Sequence, residues 1–383
     1  MSHKLFRMLS LIAILALALT PMGVAKADHA KPGCVPAYVK MAGSQITVLP
    51  TGKNDTANIQ CAFDVAVAAG RGMNVQLVKG TYKTAQIVAF GFKGTFNGAG
   101  QEKTVITNLP TLKVTPVDMY LNPPSAANPW PMLFYFGDVD ILVRDLTIRI
   151  VGEDPTTPWT IFGIDPPLTQ LAAAIGILGT HSDVEINRVL VEGENTVKPS
   201  MFTYNLINGI YFEGWGGEVS VPISGSFLVR NSTFRKMASG SPITNLTHAS
   251  AILTHNVYDN VYISGEFTDL DHSSVEFSHN LVAGVYGANV YNFIATEDVG
   301  AFFLIKNNVF QTTIGVAFGP AGYPYQMGKG SKCLIQGNNF KQVDGTTAIY
   351  LGPNTHDCTV AGNNTKGAII INEGTGNVIR GPN

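Results

Sequence analysis

Half of the chain's eight histidines fall in one short stretch: His248, His255, His272 and His279, interleaved with Asp259, Glu266, Asp269, Asp271 and Glu276. Such a mixture of bases, acids and hard oxygen ligands suits proton abstraction beside a sugar carboxylate. That chemistry needs a base, a cation or metal to neutralise the carboxylate, and an acid for the departing oxygen. In this reading His255 or His272 moves the proton with Asp269 and Asp271 beside it, and Asp259, Asp269 and Asp271 are the oxygen donors for a calcium ion. Glycoside hydrolysis would draw instead on two carboxylates at fixed separation, with Glu213, Asp269 and Asp271 as candidates. The competing reading is a solvated loop with carboxylates at its corners.

A second group combines aromatic rings and charges at regular positions. Tyr211, Glu213 and Trp215 follow one another at alternate positions, and Tyr350 occupies the same place as Tyr211 in a later copy of its strand. Aromatic faces stack on sugar C–H groups. Arg235 and Lys236 lie nearby and could meet an acidic sugar, or be ordinary surface cations. All three tryptophans, Trp130, Trp159 and Trp215, fall in segments that read as insertions, and loops on a rigid scaffold are where functional side chains gather.

The scaffold is legible as a repeat. The phrase apolar-x-small-amide-x-apolar recurs as VRDLTI from Val143, INRVLV from Ile186, VRNSTF from Val229, FSHNLV from Phe277, IKNNVF from Ile305, IQGNNF from Ile335 and VAGNNT from Val360. A second phrase, small-Ile-x-apolar, recurs as AIGIL, GIYF, GVAF, AIYL and AIII. Units this short cannot bury an apolar face alone and must stack on their neighbours, which makes an all-β solenoid. The spacing predicts bare coils after Phe277 and insertions in the earlier steps. Asn231, Asn307, Asn308, Asn338, Asn339, Asn363 and Asn364 fall at the turn inside the phrase, where amides tolerate left-handed backbone and bond to the next coil. Alternation turns Ile210 and Phe212 inward and Tyr211 and Glu213 outward, and likewise Ile349 and Leu351 in, Tyr350 out.

Residues 1–27 read as a secretory signal: Lys4 and Arg7, an apolar run from Leu9 to Leu19, then Ala25-Lys26-Ala27. The expected destination is outside the cell, the periplasm or the cell envelope, and the mature chain, 28–383, reads as one domain. A formal net charge of -2 gives no field for nucleic acid, and no later apolar run is long enough for a membrane span. Four cysteines in an exported chain permit three pairings. Cys333 and Cys358 precede successive copies of the phrase, so they sit on neighbouring coils and could pair, leaving Cys34 with Cys61; buried free thiols are the alternative.

A solenoid needs a lid. In the cap region, 28–72, Asp55 is placed to N-cap a helix with the stripe Ile59, Ala62, Phe63, Ala66 and Val67, ending at Gly70. This segment, DTANIQCAFDVAVAAG, followed by VQLVKGTY and GTFNGAGQEKTVIT, resembles the opening of the pectin lyase-like superfamily of right-handed parallel β-helices. The resemblance runs through the repeats and implies a polysaccharide-binding or polysaccharide-cleaving protein, a lyase or glycoside hydrolase, with the sugar on the outer face of the small-Ile-x-apolar strand. No catalytic motif of the superfamily carries over residue by residue: Leu270-Asp271-His272 is similar to the IDH piece of pectate lyases, but Asp269 stands where that motif has Trp. A non-catalytic envelope or adhesion protein is the alternative function.

Overall fold

A computed structural model describes residues 34–109, 132–151, 171–194, 206–214, 222–292, 299–319, 327, 330–341 and 347–381. The segment read above as a secretory signal and the three tryptophans lie outside them.

A full coil contributes one strand to each of three parallel sheets, and the coils at the C-terminal end contribute fewer. Sheet A carries the first half of the repeated phrase, in strands such as Ser224–Arg230, Ser250–Thr254, Ser274–Ser278, Phe302–Lys306, Lys332–Gln336 and Cys358–Ala361, each paired in parallel with the next. Sheet B carries the second half, for example Thr104–Asn108 and the first residues of Thr233–Thr247, Val257–Asp271 and Leu281–Asn292. Sheet C carries the small-Ile-x-apolar strand: Ile87–Phe90, Met132–Gly137, Leu171–Gly179, Leu206–Gly214, the middle of Val257–Asp271, Thr347–Leu351 and Ile369–Asn372. Among the described residues the one antiparallel pairing is Val39–Ala42 on Gln45–Val48 at the N-terminal end. A chain that climbs one strand per coil in a single sense, with right-handed crossovers, is a right-handed parallel β-helix.

Alternation explains what fills it. The inward column of sheet A, Val75, Phe96, Val143, Ile186, Val229, Leu253, Phe277, Ile305, Ile335 and Val360, is buried throughout. Phe234, Tyr258, Phe277, Phe310 and Phe340 continue the core as stacked rings with centroids 5.1–6.4 Å apart. Ile210, Phe212, Ile349 and Leu351 are buried as alternation requires.

The 48-residue step after Val229 holds no insertion. It is two bare coils, because Val229 pairs with Leu253 and Leu253 with Phe277. The extra copy is Leu253-Thr254-His255-Asn256-Val257-Tyr258, hidden by its histidine and tyrosine. His255 takes the left-handed turn position (φ 57°) that Asn231 and Asn307 take elsewhere.

Behind that turn, Asn256, Asn280, Asn308, Asn338 and Asn363 form a buried ladder. Each side-chain oxygen accepts the backbone N–H of the residue one coil before, as in Asn280 N to Asn308 Oδ1 at 2.8 Å and Asn308 N to Asn338 Oδ1 at 2.9 Å. Each amide nitrogen donates to a carbonyl such as Phe277 O, 2.8 Å from Asn308 Nδ2. The corner thus meets its backbone hydrogen-bonding needs without water.

Helix α1, Thr56–Ala69, closes the N-terminal end. Ile59, Ala62, Phe63 and Ala66 are buried, and Phe63 packs on Phe92, Phe96 and Phe136. Asp55 occupies the N-cap position without capping by its side chain. Its carboxylate instead accepts Thr51 N at 2.7 Å and Lys83 N at 2.9 Å, so it ties the lid to the first coils. Disulfides join Cys34 to Cys61 and Cys333 to Cys358. No helix among the described residues is long and apolar enough to cross a membrane.

Candidate functional site

The four histidines of the polar stretch are sorted into two pairs by the coil length. His248 and His272, 24 residues apart, stack at the corner between sheets C and A, with ring centroids 5.3 Å apart and planes 6° from parallel. His255 and His279 stack at the opposite end of the same sheet A strands, 4.9 Å apart and 3° from parallel. Seven residues of extended chain place the two corners roughly 20 Å apart. The structure therefore separates His255 from His272.

Asp271 and His272 do meet. Asp271 Oδ1 lies 2.6 Å from His272 Nδ1, Thr247 Oγ1 donates to Asp271 Oδ2 at 2.9 Å, and His248 Nδ1 lies 3.0 Å from Thr247 Oγ1. The His272 hydrogen bond holds the Asp271 carboxyl below its ordinary range against the opposing effect of burial. The arrangement orients an exposed imidazole by its Nδ1 and leaves the other ring nitrogen to carry a proton.

The proposed calcium donors are dispersed. Asp259 is exposed on the outer face of sheet B, in register with Arg235. Asp271 sits at the far end of the same strand, and Asp269 takes a left-handed turn conformation near it. Among the described residues no three His, Cys, Asp or Glu side chains stand close enough to hold a metal ion. Arg235 and Lys236 are drawn toward Glu192, at 3.8 and 3.9 Å, where Arg149 makes a closer ion pair at 2.9 Å. Their charge is partly spent inside the protein.

The outer face of sheet C gathers a different set. Register runs from Val88 through Tyr135, Gly176 and Tyr211. Farther along the sheet it runs from Pro242 through Glu266, Tyr291, Ala317 and Tyr350 to Ile371. At its N-terminal end Met132, Tyr135, Ala172, Ala173 and Leu178 form an apolar cluster separate from the core, with Phe90 and Tyr211 packed against it. Burial, and secondarily Asp138, raises the Tyr135 hydroxyl pKa, so it stays protonated. Tyr350 is partly exposed and donates to Glu373 Oε2 at 2.7 Å. The side chain of Glu213 and all of Trp215 lie outside the described residues.

Glu266 is the chemically distinctive member. The residue as a whole is half-buried, but its carboxyl is surrounded by protein, and that loss of hydration pushes its pKa up to about 7. The Ser239 hydroxyl pulls weakly the other way; it is buried and lacks a well-formed hydrogen bond. On the same face two residues along, Thr268 Oγ1 and Thr244 Oγ1 are 2.7 Å apart. A carboxyl that ionises near neutral pH can both give and take a proton. The sequence contained the signal: once LTHNVY is read as a repeat, the 24-residue step sets Glu266 against Pro242 and alternation turns it outward. Glu266 and His272 are six residues apart on one path, again roughly 20 Å if extended.

No family model matches the chain, and no curated protein matches it. Among solved structures it is similar to the A-module of a mannuronan C-5 epimerase from Azotobacter vinelandii, at 14% identity and TM-score 0.36, covering 86% of this chain and 96% of that one. It is also similar to tailspike protein 2 of an Escherichia coli O157:H7 bacteriophage, at 11% identity and TM-score 0.40, covering 81% of this chain and 35% of that one. A family 28 exopolygalacturonase from Yersinia enterocolitica aligns at 11% identity and TM-score 0.32 over 86% of this chain and 73% of that one. The coils themselves, three parallel sheets joined by an asparagine-lined corner and lidded by a helix, make this chain a right-handed parallel β-helix.

Proposed function

We propose that this protein binds and processes a polysaccharide along the outer face of sheet C, with Glu266 as the proton-transferring group. What supports the reading is the placing of Glu266 on the outer face of the sheet, in a column that also places Tyr211 and Tyr350, with burial pushing its carboxyl pKa up to about 7. A ladder of rungs roughly 4.8 Å apart is a straight track, and tyrosines on it offer ring faces to successive sugars.

The substrate proposed is an acidic glycan. An ionised Glu266 can take the proton beside the uronate carboxylate, and as the glycosidic C–O bond breaks it can give that proton to the departing oxygen. Lyase-like elimination is the reaction this favours, because hydrolysis calls for two carboxylates at defined separation. His272, oriented by Asp271, lies too far along the strand to act on the same sugar as Glu266 and is assigned to a neighbouring position on the chain. The alternative is a non-catalytic glycan-binding surface. What favours it is that Glu266 and the Asp271–His272 pair do not converge.

The test is incubation of the protein with a panel of polyuronides and neutral glycans, with and without calcium, followed by measurement of unsaturated products and new reducing ends. Unsaturated ends that vanish in Glu266→Gln support the proposal. Retention of a glycan without products identifies the binding alternative, and no retention of any glycan overturns both.

A further inference from the structure

On the outer face of sheet A, away from the sugar track, two adjacent rungs bring together a serine, a histidine and an aspartate. His181 pairs in register with Ser224, and Asp183 with Ser226. Ser224 Oγ lies 3.0 Å from His181 Nδ1, and His181 Nε2 lies 3.6 Å from Asp183 Oδ2. The other Asp183 oxygen accepts Ser226 N at 3.0 Å and Ser226 Oγ at 2.7 Å. Asp138 Oδ1 accepts the backbone N–H groups of Thr180 and His181 at 2.8 and 3.1 Å, which fixes the turn that presents the imidazole.

Asp183 Oδ2 stands beyond hydrogen-bond reach of Nε2 and acts on the ring as a nearby charge; with the proton on Nε2, the lone pair of Nδ1 faces the Ser224 hydroxyl. That is the arrangement of an activated nucleophile: hydroxyl, base, and a nearby carboxylate. The Ser224 hydroxyl also reaches Thr180 O at 3.2 Å, so its proton has a second resting place in the free protein. Asp183 and Ser226 also line an open groove with Arg71, Lys93, Asp140 and Leu228, which begins beside Ser224 and His181 rather than around them.

We propose that Ser224, His181 and Asp183 form a hydrolytic site for short acyl esters. Ser224 Oγ attacks the acyl carbonyl carbon while its proton passes to His181 Nδ1. The C–O bond to the alcohol breaks and the alcohol departs with that proton. Water then adds to the acyl-serine, giving a proton to His181; the acid leaves and Ser224 recovers its hydrogen. Nothing is oxidised or reduced.

The experiment uses the full chain, with p-nitrophenyl acetate as substrate and a fluorophosphonate as covalent probe, and fragment mapping of the labelled residue. Expected are turnover above the buffer rate, labelling at Ser224, and a loss of about a hundredfold or more in Ser224→Ala and His181→Gln. Asp183→Asn should lose less, and Ser250→Ala, on the same face but outside the network, should match the parent. Turnover at the buffer rate, label on another residue, or Ser224→Ala and His181→Gln both equal to the parent would overturn the proposal. Because this site and the sugar track occupy different sheets, glycan retention in Ser224→Ala reports on the other reading independently.

Discussion

Replacing Glu266 by Gln should change how stability depends on pH. In the folded protein this carboxyl ionises near pH 7, against an ordinary value of 4.5. Below about pH 4.5 both folded and unfolded chains carry it protonated, and it contributes no pH dependence. Between 4.5 and 7 the unfolded chain gives up its proton while the folded chain keeps it, so stability falls as pH rises and the loss is complete above the folded pKa. A difference of 7 − 4.5, or 2.5 units, corresponds to roughly 3 kcal/mol at 1.36 kcal/mol per unit; partial solvent access makes this an upper bound. Gln fills the same space without ionising. The measurement is urea unfolding of parent and Glu266→Gln at intervals from pH 4 to pH 8. The variant should gain on the parent progressively, by about 1–3 kcal/mol at the upper end. Parallel curves across the range would show that Glu266 is hydrated and ionised like any surface glutamate, and the proton-transfer role would fall with that result.

Asn308→Ala should destabilise by about 2–5 kcal/mol, because it removes the partners that Asn280 N and Phe277 O have inside the corner; a loss under 1 kcal/mol in urea would contradict the ladder's role. Breaking Cys34–Cys61 by double serine substitution opens a loop spanning 27 residues, for which chain entropy alone gives about 3.5 kcal/mol; an unchanged unfolding midpoint would show the lid to be held without it. Tyr211→Ala should weaken glycan retention roughly three- to tenfold, the value of one stacking contact, and equal retention would move the track off this column. Gly300→Ala forces a side chain into a left-handed turn (φ 63°) with its Cβ 3.1 Å from His272 Cδ2. It should cost about 1–2 kcal/mol and disturb the His272 ring resonances in NMR; unmoved resonances would mean the ring is not held by that turn.

The fold could be read from the chain because its determinants are local and repeated. Alternation within six residues sets which side chains face in, an asparagine at the turn satisfies the corner, and the copies around Cys333 and Cys358 place those sulfurs side by side. The lid was equally legible from the spacing of Ile59, Ala62, Phe63 and Ala66, whereas the work of the Asp55 carboxylate was not, since its partner Lys83 N belongs to another element.

The site depended on numbers the sequence does not display. Which residue of one coil sits over which residue of the next is set by the full length of the coil, and a slip of one residue turns every side chain to the other face. Reading the 48-residue step as one coil with an insertion blurred the positions of His255, Glu266 and His272; two 24-residue coils separate the histidines into stacked pairs and turn Glu266 outward. Tertiary packing alone decided that the Glu266 carboxyl loses its water, that Arg235 and Lys236 lean on Glu192, and that Ser224 meets His181 across 43 residues of chain. Composition and alternation determine what each strand buries, but proximity between coils, and with it ionisation and reactivity, exists only once the rungs are stacked.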